Sequence, residues 1–209
     1  MSRLNELVKE LCPNGVEYKK LGDIEELGLI KLGRGNVISK TDIRECPGNY
    51  PIYSSSATGN GEFGRYGKYM FDYSQISWSI DGGGRFFLRK DDKYSLTNVS
   101  GWLRVLDDKV INIDYLYYVL TNEWQNKTFD YTHKAHPSVI RDEYIVPLPP
   151  LKIQQEIVKI LDKFTELQAE LQAELELRLK QYEYYRDELL SFDNGLASKQ
   201  ASKQAGLDS

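Results

Sequence analysis

The chain has 209 residues, 41% of them hydrophobic and 28% charged, a balance that fits a folded soluble chain of one ordinary domain plus an accessory element. Its net charge of −4 argues weakly against a nucleic-acid partner, because such domains are often basic. No apolar run approaches the ~20 residues of a membrane span, the first six residues lack the apolar stretch of a signal peptide, and Cys12 and Cys46 form no metal-type spacing; a reduced, cytoplasmic chain without a membrane partner is expected.

Along the chain, Leu4, Leu7, Val8 and Leu11 recur at helical spacing and predict one short amphipathic helix, ended by Pro13-Asn14-Gly15. Short strand-type runs follow between turn signals: Tyr50 to Tyr53, Gln75 to Ile80, Arg85 to Leu88 and Gly101 to Leu106. In the second of these Ile76, Trp78 and Ile80 share one face. Gly59-Asn60-Gly61, Gly64, Gly67 and Gly82-Gly83-Gly84 mark tight turns or close backbone approaches. Tyr115 to Trp124 reads as a helix with Leu116, Val119 and Leu120 as its apolar stripe. Strands and helices alternate without a βαβ rhythm, so the expected class is α+β.

Pro147-Leu148-Pro149-Pro150 is a stiff connector, and a helix is expected to start beside Pro150. Residues 151–192 contain no Gly and no Pro, which permits one uninterrupted helix of about 63 Å at ~1.5 Å per residue. Ile157, Ile160, Phe164, Leu167 and Leu171 step by three and four, as in a coiled-coil seam. A stutter leads to Leu175, and Leu179, Tyr182 and Leu189 continue the stripe. A head of ~150 residues spans perhaps half that length, so much of the rod is expected to project. A projecting apolar stripe needs a partner helix, most simply in a second copy. The expected organisation is a domain over 1–150, a dimerisation helix over 151–192 and a flexible tail over 193–209, which carries Asn194-Gly195 and a doubled Ala-Ser-Lys-Gln.

Signs of catalysis are sparse. His133 and His136 stand three apart without a Cys or carboxylate cluster at ligand spacing, so no metal site is expected. No serine lies in a nucleophile elbow, and Asp81-Gly82-Gly83-Gly84 lacks the strand–glycine loop–helix context of a dinucleotide site. Glu17-Tyr18-Lys19 matches half of a nuclease site but has no upstream Asp, which leaves a cryptic nuclease as a minor rival. Fifteen Tyr and three Trp beside Ser, Asn, Gly and scattered Arg and Lys suit recognition: hydroxyl and guanidinium groups bond phosphate oxygens, and Arg, Asn or Gln can read base edges. The charge is also segregated. Residues 31–93 hold ten basic side chains against seven acidic, while residues 151–192 hold six against nine, so the base lies in the head and the acid in the helix.

Several strings, in their order, carry a resemblance: Lys31-Leu32-Gly33-Arg34-Gly35-Asn36, Tyr50-Pro51-Ile52-Tyr53-Ser54-Ser55, Ile76-Ser77-Trp78-Ser79-Ile80-Asp81-Gly82, Leu96-Thr97-Asn98-Val99-Ser100-Gly101, and Val146-Pro147-Leu148-Pro149-Pro150-Leu151 followed by Gln154-Gln155 and Ile157-Val158. Over residues 1–192 the chain resembles the specificity subunits of type I restriction–modification systems. The resemblance implies a non-catalytic target-recognition domain for double-stranded DNA, joined to one long conserved helix. It implies methyltransferase subunits and restriction/translocase subunits as partners, with S-adenosylmethionine, ATP and Mg on those partners and no cofactor here. A full-length member has two such domains and two long helices packed antiparallel, so this chain is similar to a half-subunit, and two copies would restore the plan and read a symmetric bipartite target.

The implied DNA-contacting residues are Lys31, Arg34, Asn36, Lys40, Ser54, Ser55, Ser56, Thr58, Asn60, Arg65, Lys68 and Arg85, together with the loop residues Lys127, Tyr131, His133, Lys134 and His136. The alternative is a coiled-coil protein-interaction module that binds no DNA, which the mixed charges Glu166, Glu170, Glu174 and Arg178 on the helix would serve equally well.

Overall fold

The first helix, α1 (Arg3–Leu11), carries the predicted Leu/Val stripe, and Gly15 turns the chain after it at a φ of +92°, where only a residue without Cβ sits at ease. The computed structural model describes residues 3–55, 59–130 and 132–191. The elements that follow are β1 (Tyr18–Lys20), α2 (Leu21–Glu26), β2 (Ile30–Arg34), α3 (Lys40–Glu45), β3 (Tyr50–Tyr53), β4 (Glu62–Tyr66), β5 (Gln75–Ser79), β6 (Phe86–Arg89), β7 (Ser95–Leu96) and β8 (Ser100–Val105). Then come α4 (Ile113–Trp124), α5 (Pro137–Glu143), β9 (Ile145–Pro147) and α6 (Leu151–Leu190). The mixed α+β class and the long C-terminal helix are as expected. The pieces β1, β7, β9, α2, α3 and α5, each two to seven residues long, escape periodicity, and so do the five-residue strands β2 and β4; Gly64, read from sequence as a turn or close approach, lies inside β4.

Three sheets form. One is the antiparallel four-stranded sheet β2-β8-β5-β6, one is β4-β3-β7 with β3 and β7 parallel, and one is the pair β1-β9. One face of the four-stranded sheet lays Leu32, Leu103, Ile76, Trp78 and Phe86 onto Leu21 and Ile24 of α2, Leu116 and Leu120 of α4, and Ile140 of α5. The opposite face sends Trp102 into a second cluster of Tyr53, Phe71, Tyr94 and Leu96. The alternation in β5 predicts a half-wet strand, yet Gln75, Ser77 and Ser79 are as buried as Ile76 and Trp78. The second cluster covers the face that the sequence pattern leaves polar. There Arg89 is buried with its guanidinium carbon 3.6 Å from the Tyr53 ring centroid, donates through Nε to Ser77 Oγ (2.9 Å), and is pushed below the usual arginine pKa by that burial.

The chain divides into two compact units, Met1–Ile160 and Leu161–Ser209. The first ten residues of α6 therefore belong with the head, where Ile153 and Gln154 are buried. In the second unit α6 continues to Leu190 with its side chains exposed from Asp162 onward. The tail over 193–209 lies outside the described residues.

Candidate nucleic-acid interface

Strand direction gathers the candidate loops at one end of the head. β2 and β5 are both antiparallel to β8, so both finish where β8 begins, and β3 and β7 run parallel and finish together. Thr97 N–H donates to Tyr53 O (2.9 Å), and Asn36 bridges to Thr97, which ties these strand ends into one rim.

Hydrogen bonds link side chains and backbone groups along that rim. Arg34 Nε donates to the Asn98 carbonyl, and Thr97 Oγ1 donates to Ser54 Oγ (2.9 Å). The Ser55 hydroxyl meets that of Ser79 and also accepts from Asp81 N–H (3.2 Å). Lys134 Nζ pairs with Asp81 (2.9 Å). Arg34, Asn36, Ser54, Ser55 and Lys134, distant in sequence, thus form one continuous polar border. Arg85 immediately precedes β6 at the same turn, its backbone carbonyl accepting from Ser79 N–H and its guanidinium 5.1 Å from the Phe87 ring.

Behind Lys134, the loop of residues 127–136 is anchored. Trp78 Nε1 donates to Ala135 O (2.7 Å), Trp124 Nε1 donates to Gly83 O (2.6 Å), and Phe129 lies against Gly84, whose φ is +76°. Two of the loop's basic side chains are spent on contacts within the head. His133 bonds Glu143 (2.9 Å) and stacks on Phe129, while Lys127 donates to the Glu143 carbonyl (3.0 Å). His136 precedes α5 and meets Ser138 at 3.1 Å. Asp130 is held below the usual carboxylate pKa by bonds from Thr132 and His133.

The remaining predicted residues are not in the rim's hydrogen-bond chain, though Lys68 reaches its edge at Asn36. Lys40, Arg65 and Lys68 belong to the flank where α3 packs on β4, and Arg65 is clamped on both oxygens of Glu62 (2.7 and 3.1 Å). Lys68 lines a shallow groove with Asn36 and Asp42. Lys31 faces outward on the edge strand β2, beside Arg104 in register. Asn60 sits in the turn before β4, where its carbonyl accepts from Arg89 Nη1 (2.7 Å). Ser56, Thr58 and Tyr131 lie outside the described residues. Among the described residues, Lys31, Arg34, Lys40 and Lys68 have no ion-pair partner within 4.0 Å.

Two basic side chains the sequence reading passes over carry aromatic partners. Arg104 stands 3.8 Å from the Tyr73 ring, and Lys93 stands 4.7 Å from Tyr69 and 5.6 Å from Tyr50. No linear signal marks them, because the rings come from other strands and loops. Glu17 and Lys19, the half nuclease motif, pair with each other. Among the described residues no group of three or more His, Cys, Asp or Glu could hold a metal ion, and no helix is long and apolar enough to cross a membrane.

On α6 the predicted seam divides in two. Ile157 and Ile160 are half-buried within the head unit. Phe164, Leu167, Leu171, Leu175, Leu179, Tyr182 and Leu189 are exposed, with Phe164 65% and Leu171 67% accessible. The head is thus α+β with a hydrogen-bonded polar rim, and the second unit is a helix whose apolar stripe is exposed.

The chain belongs to the type I restriction modification DNA specificity domain family, whose profile matches residues 13–181. A Mycoplasma pneumoniae chain named as a type I specificity subunit is 34% identical over 173 residues, covering 80% of this chain and 46% of its own length. The specificity subunit of the Escherichia coli type I restriction enzyme EcoR124I/EcoR124II is 44% identical over 105 residues, covering 50% of this chain and 23% of the relative. The crystal structure of a type I restriction–modification S subunit from M. genitalium shares the fold, with a TM-score of 0.56 at 22% identity over 89% of this chain and 49% of that one. The chain spans about half the length of the first curated relatives it matches.

Proposed function

We propose that this chain is a DNA sequence-recognition subunit of a type I restriction–modification complex, reading one half of a bipartite target. The observation that carries the reading is that one family profile covers both the recognition head and most of the long helix. The rival reading, a coiled-coil module that binds protein alone, has no such support. The rim from Arg34 to Lys134 supplies donors for phosphates and for base edges. The subunit is non-catalytic and holds no cofactor. Methyltransferase subunits bring S-adenosylmethionine and extrude the target base, and restriction/translocase subunits bring ATP and Mg. The setting is the cytoplasm. Two copies pair through the exposed stripe of α6 and hold two heads along one duplex.

The test is filter binding of duplex DNA by this chain co-purified with its methyltransferase subunit, across a salt series. Retention of duplex that weakens steeply with salt is expected. Arg34→Ala and Lys134→Ala each lower the slope of log affinity against log salt by about 0.9 if the side chain contacts one phosphate. A complex that retains no duplex at any salt rejects the reading, and a variant with an unchanged slope removes that residue from the interface.

A further inference from the structure

Gln154 is fully buried at the first turn of α6 and uses its amide in three directions. Oε1 accepts from Asn112 N–H (2.9 Å), and Nε2 donates to Val110 O (2.9 Å) and to Pro149 O (2.8 Å). Three segments meet there: the loop before α4, the proline connector, and the start of the long helix. The loop is itself fixed, because Asn112 caps α4 through Oδ1 to Tyr115 N–H (2.9 Å), and the Tyr115 hydroxyl donates to Pro147 O (3.1 Å). Ile153 beside it is the only other buried residue of α6.

A satisfied buried amide is directional where apolar packing is not. Ile153 can slide or roll against its neighbours at small cost, whereas rolling Gln154 breaks three bonds at once, one of them to the buried Pro149 carbonyl, and strands its own buried amide without partners. The length of α6 makes small play costly: 40 residues at ~1.5 Å give about 60 Å, so about 3° of freedom at the first turn displaces a straight far end by about 3 Å. That is the rise of one base pair, ~3.4 Å.

We propose that Gln154 is a positioning residue that locks the first turn of α6 to the recognition head and so sets how strictly the spacing between two half-sites is read. The inference rests on the proposed function, since it needs two heads on one duplex. Gln154→Met keeps the length and removes the donors and the acceptor.

The experiment uses the complex with methyltransferase subunits and duplexes carrying the complex's own methylation motif, with the gap at its natural length, one base pair shorter and one longer. The wild type is expected to prefer the natural gap by about tenfold or more, and Gln154→Met by about threefold or less, with half-site base preference unchanged. A core variant remote from the latch, Leu103→Ala, is expected to lower affinity for all three gaps alike. A Gln154→Met profile as sharp as the wild type, or one that falls uniformly like Leu103→Ala, overturns the proposal. If Gln154→Met does not fold, Gln154→Asn, which keeps the amide and shortens its reach, is read by the same criteria. Hydrogen exchange at the Asn112 amide decides the latch without DNA. It is expected to speed up in Gln154→Met, and unchanged exchange overturns the latch even where DNA binding is intact. A wild-type complex that retains no duplex rejects the proposed function instead, while the Asn112 amide still reports on the latch.

Discussion

Glu25 guards the open edge of the four-stranded sheet. Its Oε1 accepts from Leu32 N–H (2.7 Å), and its partner Arg141 donates to Leu32 O (3.1 Å), so one ion pair occupies the outward backbone groups at the centre of edge strand β2. Burial pushes the Glu25 carboxyl up, but the Arg141 guanidinium and the Leu32 amide outweigh it and hold the pKa below 4.5. A carboxylate depressed on folding stabilises the chain above its unfolded pKa, and that contribution drains away as pH falls through the folded value. Glu25→Ala is therefore expected to lose about 2 kcal/mol at pH 7, the cost of leaving part-buried polar partners unmatched. Urea melts at pH 7 and at pH 3.5 check this: the gap between wild type and variant narrows at the lower pH.

Gly101 shows the same scale of constraint without charge. A Cβ there would stand 2.1 Å from the Trp78 indole, which is itself fixed by its bond to Ala135 O. Gly101→Ala is expected to destabilise the head by about 1–3 kcal/mol through overpacking, measured as a lower urea midpoint at unchanged slope. Gly33 is held likewise, with Trp102 filling the place of its missing side chain. Sequence alone does not show why these positions are glycine (Gly101 reads there as the start of a strand run), because the ring that needs the space comes from a strand far along the chain.

At the scale of elements, the long helix was the most legible part. Forty residues without Gly or Pro after a double proline leave little choice of structure, and β3, β5, β6, β8 and α4 were also readable from period and turn residues, whereas β2 and β4 were not. What period could not show was which polar face becomes interior. β5 is buried on both sides because β3 and β7 bring Tyr53 and Leu96 into the second aromatic cluster, and parallel pairing across forty residues leaves no local trace. The α6 stripe yields the element-scale prediction. Phe164 and Leu171 are two-thirds exposed, and burying each fully against a partner helix is worth about 1.5–3 kcal/mol. Phe164→Asp with Leu171→Asp is expected to halve the sedimenting mass from about 48 to about 24 kDa; an unchanged mass would exclude these residues from the seam.

For the molecule as a whole, the prediction concerns symmetry. If two copies of this chain pair two-fold as proposed, the same recognition head is presented twice, which dictates two identical half-sites in opposite orientation with a fixed gap. Sequencing of modified bases in DNA from the source organism is expected to show such a symmetric, gapped motif, lost when this chain is deleted. An asymmetric motif that depends on the chain would instead mean two different heads in the complex.

The candidate site divides along the same line. Arg34, Ser54, Ser55 and Lys134 were visible as residue types suited to DNA, but their common border was not. Nor was it visible that Arg65, Lys127 and His133 spend their polar groups on Glu62 and Glu143. Composition, period and breaker residues are properties of neighbours in the chain, and they determined the class, the helix and the ordered strings of the family. Which loops share one rim, which cations are paired and how Gln154 holds the helix were decided by antiparallel and parallel pairing between distant segments. Those contacts exist only once the sheets have closed.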